Sequence, residues 1–107
     1  VYGRSVNGST QPTLELLYFD SCPHWRLAAE RLATIAVELG LTVEHHEVTT
    51  DAQAVAVGFH GSPTILIDRR DPFATGNEPT GLACRIYTTP DGPAGSPTLD
   101  QLRAALS

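Results

Sequence analysis

Apolar residues fall in short, separated runs along the chain, and their spacing changes from one run to the next. Leu14 to Phe19 is nearly unbroken (Leu-Glu-Leu-Leu-Tyr-Phe), the pattern of a strand buried on both faces. Asp20-Ser21-Cys22-Pro23 interrupts it and starts a helix, with Pro23 at the first helical position, where its missing N–H is no loss. Trp25, Ala28, Ala29, Leu32, Ile35, Ala36 and Leu39 then recur at helical spacing, Arg26 and Glu30 pair on the outer face, and Gly40 supplies a left-handed cap. Leu41 to Val48 reads as a second strand, apolar early and charged late, which places it at a sheet edge. Thr50 or Asp51 caps a short helix running to about Phe59, and Gly61-Ser62-Pro63-Thr64 precedes a third, buried strand at Ile65-Leu66-Ile67. Arg69 to Thr80 is a loop of about a dozen residues, long for a compact domain. Leu82 to Tyr87 predicts a fourth strand, and Ser96-Pro97-Thr98 starts a last helix faced by Leu99, Leu102 and Leu106.

The resulting order, β-α-β-α-β-β-α, predicts an α/β fold. A strand-helix-strand opening implies a parallel pair with a right-handed crossover, while the third and fourth strands should pair antiparallel. The expected sheet is four-stranded and mixed, with the first strand central, the first and last helices on one face and the middle helix on the other. Leu16, Tyr18, Ala29, Leu32, Ala36, Val43, Ile65, Ile67, Leu102 and Leu106 are the expected core. Residues 1–12 show no hydrophobic period and read as a disordered tail, leaving 13–107 as a single domain.

Composition narrows the function. With 41% hydrophobic residues in 107, the chain can bury one core. No apolar run approaches the roughly 18 residues of a membrane span and no signal-peptide pattern opens the chain, so a cytoplasmic protein without membrane partners is expected. The net charge is −5 and all seven basic residues are Arg, with none of the clustering that nucleic-acid phosphates require. Two cysteines are too few for a disulfide scaffold, and they cannot complete a four-ligand zinc site without histidines.

The chemistry concentrates at Cys22-Pro23-His24-Trp25. A cysteine where a strand hands over to a helix meets the unpaired N–H groups and the positive end of the helix dipole, which favour a thiolate. Its strand-end position and polar flanks argue for an accessible Cys22. His24 is a candidate proton donor to a leaving thiolate, and Trp25 belongs to the helix core or borders a ligand groove. Gly-x-Pro-Thr before a buried strand predicts a cis bond at Pro63, with the backbone of Ser62 exposed for an extended thiol ligand or peptide. Cys84 reads as a small buried residue on the fourth strand, too far from Cys22 to bridge. His45 and His46 point to opposite faces of a strand and cannot share a metal, and His60 reads as a loop residue. Asp68 to Pro72 reads as a solvated turn.

A hydrophobic strand ending in Cys-Pro-x-x, a helix, and then Ala-Val-Ala-Val-Gly-Phe-His-Gly-Ser-Pro-Thr-Ile-Leu-Ile-Asp resembles the thioredoxin superfamily over about residues 14–106. The chain also resembles a group of small bacterial thioredoxin-like proteins that carry Cys-Pro-x-Trp. The resemblance implies a thioredoxin-like fold, Cys22 as nucleophile and Pro63 as the cis proline. Trp25 stands where thioredoxin has its second cysteine, so no disulfide can close within the motif. The implied activity is monothiol thiol–disulfide exchange, with His24 assisting Cys22 and with Pro23, Trp25, Ser62 and Pro63 contacting substrate. The mixed disulfide would be resolved by a low-molecular-weight thiol or by Cys84. The expected partners are such a thiol or a protein disulfide, no cofactor is required, and a monomer is expected. The alternative is a non-enzymatic module that binds a protein partner, or a soft metal or metalloid. Cys22 alone cannot complete a metal site, which would need Cys84, His24 or a second subunit, so none is assigned.

Overall fold

The computed structural model describes residues 12–106 apart from 77 and 79. The tail expected over 1–12 therefore lies, Pro12 aside, outside the described residues. The elements are β1 (Leu14–Tyr18), α1 (Trp25–Leu39), β2 (Val43–Glu47), α2 (Asp51–Val57), β3 (Thr64–Ile67), β4 (Tyr87–Thr89), β5 (Gly92–Ala94) and α3 (Leu99–Leu106).

β1 is central because its side chains from Leu14 to Leu17 are buried on both faces. It pairs parallel with β2 on one side and antiparallel with β3 on the other, Leu16 standing opposite His45 and Ile65. Alternation along β1 sends Leu16 and Leu17 to opposite faces and seeds two apolar clusters. Leu16 and Ile65 pack with Ala28, Leu32 and Ile35 of α1 and Leu102 of α3. Leu17 packs with Val48, Phe59 and Ala54 of α2. The expected core residues all join or pack against the first cluster except Ala36, which is buried as well.

Local signals set the helix ends. Gly40, at φ 70°, closes α1 with its N–H on the Ala36 carbonyl. Thr50 Oγ1 accepts the Gln53 N–H at 3.1 Å to cap α2. At α3, the Gln101 N–H donates to Thr98 Oγ1 and the Thr98 N–H to Gln101 Oε1, a reciprocal capping box, so Ser96 and Pro97 precede the helix. Arg31 donates to the Pro97 carbonyl at 2.7 Å and Arg103 pairs with Glu38 at 2.8 Å, fastening α3 to α1. Among the described residues no helix is long and apolar enough to cross a membrane.

Three expectations are corrected. α1 starts at Trp25 with His24 as its cap, so Pro23 lies ahead of the helix, just after a turn closed by the Cys22 N–H on the Phe19 carbonyl at 3.2 Å. Among the described residues the expected four-stranded sheet is not formed: three strands make the mixed sheet, and β4 and β5 pair only with each other. Beyond Ile67 the chain turns back through Asp68 and Arg69, at φ 52° and 66°, and Arg70 bridges to Ile67. Among the described residues the segment from Gly81 to Ile86 makes a single bridge, Cys84 to Ser62, in place of a ladder. Arg85, Tyr87 and Thr89 face inward while Leu82, Cys84 and Ile86 face out. The inward side is held by a two-pronged ion pair between Arg85 and Asp71, whose side chains are only 5% and 7% exposed. The turn around Asp71 is thus not merely solvated.

Candidate functional site: two cysteines at a cis-proline turn

The turn after β1 and the turn before β3 meet because their strands are hydrogen-bonded neighbours. The Ser62–Pro63 bond is cis. Ser62 is fully buried and uses every polar group it has. Its Oγ accepts the Phe19 N–H at 3.3 Å, its N–H donates to the Ala83 carbonyl at 2.8 Å, and its carbonyl accepts the Arg85 N–H at 2.9 Å. The same carbonyl accepts the Cys22 thiol at 3.5 Å. The Tyr87 hydroxyl donates to the Pro63 carbonyl at 2.6 Å, and burial pushes its ionisation well above the ordinary phenol range.

The sequence predicts a Ser62 backbone open to a ligand, and here the structure differs. Residues 83–85 of the same chain occupy that backbone. Gly61 makes their approach possible: at φ 104°, a Cβ there would stand 3.1 Å from both the Ala83 carbonyl oxygen and Arg85 Cβ.

The covering segment reverses the expected burial of the two thiols. Cys22 is 1% exposed, and Cys84 is exposed instead of buried in a strand. The reason is the inward turn of Arg85, which sends its neighbour Cys84 outward over the end of β1. The two thiols are also not held apart: both sulfurs and a ring nitrogen of His24 lie within 4.8 Å of one another. Cys84 is pushed up to about 11, first by its hydrogen bond to Cys22, then by burial, then by the charge of Cys22. The two sulfurs resist ionising together.

Of the other residues singled out in the sequence, Pro23 is exposed and His24 is half-buried. The His24 side chain sits so close to Gly95 that a Cβ there would meet it at 2.4–2.6 Å. Its Nδ1 is buried without a hydrogen-bond partner among the described residues. Trp25 stacks on Tyr18 at 4.2 Å beneath the guanidinium of Arg26 and packs against the core, the first of its two expected settings. His45 takes no part in the site. His46 Nε2 meets Glu15 at 3.2 Å and Glu44 at 3.4 Å on the other side of the sheet edge, and His60 anchors its own turn through its N–H to Thr64 Oγ1.

Gly61 belongs to the Gly-Ser-Pro-Thr turn, whereas Asp71, Arg85 and Tyr87 also build the site although no local motif marks them for it. The period-two alternation of Arg85, Tyr87 and Thr89 carries that signal, since it puts the charged and aromatic groups inside and Cys84 outside. No family model matches the chain, and no curated protein or solved structure matches it. The site itself brings together Cys22 and His24, from the turn before α1, and Cys84, from the segment that covers Ser62.

Proposed function

We propose that the chain is a thioredoxin-like redox protein acting by thiol–disulfide exchange through Cys22, with Cys84 as its resolving partner. The observation that carries the reading is the approach of the two sulfurs to within 4.8 Å beside Ser62. The thioredoxin-like assignment rests on the Cys-Pro-x-Trp and Gly-Ser-Pro-Thr segments and on the parallel β1–α1–β2 unit with β3 antiparallel beside it.

In this reading the Cys22 thiolate attacks a disulfide R–S–S–R′. A disulfide bond forms between Cys22 Sγ and the sulfur of R, the original S–S bond breaks, and R′S⁻ leaves and takes up a proton, with His24 a candidate donor beside Cys22. The step requires residues 83–85 to swing off Ser62, and an extended substrate could take over the same two backbone hydrogen bonds. Once Cys22 is in a mixed disulfide it carries no charge, so two of the three causes that hold the proton on Cys84 disappear. Cys84 then ionises, attacks Cys22 sulfur and expels RSH. The substrate gains two electrons and the protein is left with a Cys22–Cys84 disulfide. Two equivalents of a low-molecular-weight thiol restore the dithiol, as the reducing pool of the cytoplasm would.

The test is reduction of a small mixed disulfide by the protein with glutathione as reductant. Cys22→Ala should abolish turnover. Cys84→Ala should accumulate a glutathione adduct on Cys22, visible by mass. Full turnover by Cys22→Ala would end the proposal.

A further inference from the structure

We infer that the reduced protein binds a thiophilic d10 cation, zinc(II) or copper(I), through Cys22, Cys84 and His24. The inference uses the thiols of the exchange reading but rests on donor geometry, so either can fail without the other.

The donor set matches this class of ion. Two thiolates and an imidazole suit zinc and copper(I), whereas magnesium or calcium would require oxygen ligands. With metal–sulfur bonds of about 2.3 Å and metal–nitrogen bonds of about 2.0 Å, tetrahedral geometry places donor atoms roughly 3.5–3.8 Å apart. The three donors already lie within 4.8 Å of one another, so about 1 Å of closure completes the triangle. Two of the donors, Cys22 and His24, sit on the single connection between β1 and α1 and the third on the 81–86 segment, which backbone bonds already fasten to Ser62 beside Cys22. His24 is held against Gly95, and its Nδ1 has no hydrogen-bond partner among the described residues. Because Cys84 is exposed, the site has a solvent side through which an ion can enter and on which water can supply a fourth ligand to zinc.

Binding replaces two S–H bonds by two metal–sulfur bonds and releases two protons, with no change of oxidation state. The same sulfurs cannot then form a disulfide, so the bound ion and the oxidised form exclude each other. Among the described residues the other cluster of this kind, Glu15, Glu44 and His46, offers two carboxylates already engaged in ion pairs and suits these ions less well.

The experiment is anaerobic titration of the full, reduced, metal-free chain with zinc chloride, and separately with copper(I) against a competing chromophoric chelator. One ion per chain, with protection of both thiols from a disulfide reagent, is the expected result in at least one of the two titrations. Zinc alone makes the site a zinc site, and copper alone a copper site. Changes around a metal's ligands cost about 10- to 100-fold in affinity, so loss of a direct ligand should cost at least as much. Cys84→Ala, at an exposed position, should weaken binding by more than about 100-fold, and His24→Ala by more than about tenfold. Circular dichroism checks that both variants are folded. Absence of binding by either ion, or binding that survives in folded Cys84→Ala, overturns the inference. Exchange activity measured on the metal-free protein reports on the other reading independently.

Discussion

Replacing Cys22 by Ala should make Cys84 ionise at lower pH. Cys84 is pushed up to about 11 from an ordinary 9.0, and of the three causes only burial is independent of Cys22. Removing the Cys22 sulfur removes a hydrogen bond and a charge, so the Cys84 thiol should return toward 9.0. Lowering a thiol's pKa by one multiplies its thiolate at neutral pH about tenfold, so near pH 8 the thiolate fraction should rise by up to about 100-fold. A less basic thiolate is a weaker nucleophile, with a Brønsted slope of about 0.4–0.5, which takes back roughly six- to tenfold. The net gain in initial alkylation rate is therefore about tenfold at pH 8. Solvent screening at an exposed position makes this an upper figure. The assay is iodoacetamide labelling from about pH 7 to about pH 11, followed at Cys84 by peptide mass spectrometry, with circular dichroism to show that the variant is folded. An unchanged Cys84 midpoint in a folded Cys22→Ala variant would refute the coupling.

Other variants test the supports of the site. Arg85→Ala leaves the Asp71 carboxylate buried without its partner and should cost about 3–5 kcal/mol in urea unfolding. Gly61→Ala puts a Cβ against the Ala83 carbonyl at a backbone conformation other residues rarely adopt, and should cost about 1–3 kcal/mol while slowing disulfide formation on mild oxidation. Leu32→Ala, fully buried between α1 and the sheet, should lower stability by about 2–5 kcal/mol and leave the thiol titrations unchanged.

Periodicity and turn chemistry make most of the framework legible. The unbroken apolar run at Leu14–Phe19 identifies the central strand, Gly40 and Thr50 mark helix ends, and Gly-Ser-Pro-Thr marks the turn with the cis bond. The region after β3 departs from its pattern for a specific reason. Leu82-Ala83-Cys84-Arg85-Ile86-Tyr87 has the composition of a strand, but a ladder needs a partner edge, and the turn at Asp68 and Arg69 folds the chain back from β3. What orients the segment instead is Arg85 with Asp71, 14 residues apart, a long-range ion pair that local pattern does not show. Cys84 follows Arg85: once the guanidinium points in, the thiol must point out. The same geometry explains why Cys22, exposed by every local signal, is covered. The strand-to-helix transition alone marks Cys22 and His24, whereas nothing local marks their partner.

The most direct measurement is the product of mild oxidation of the dilute, fully reduced protein. The account predicts a monomer lighter by two hydrogen atoms, with both thiols lost together and a peptide linking Cys22 to Cys84. A dimer joined through the exposed Cys84, or two thiols that stay free while an external disulfide is consumed, would contradict it.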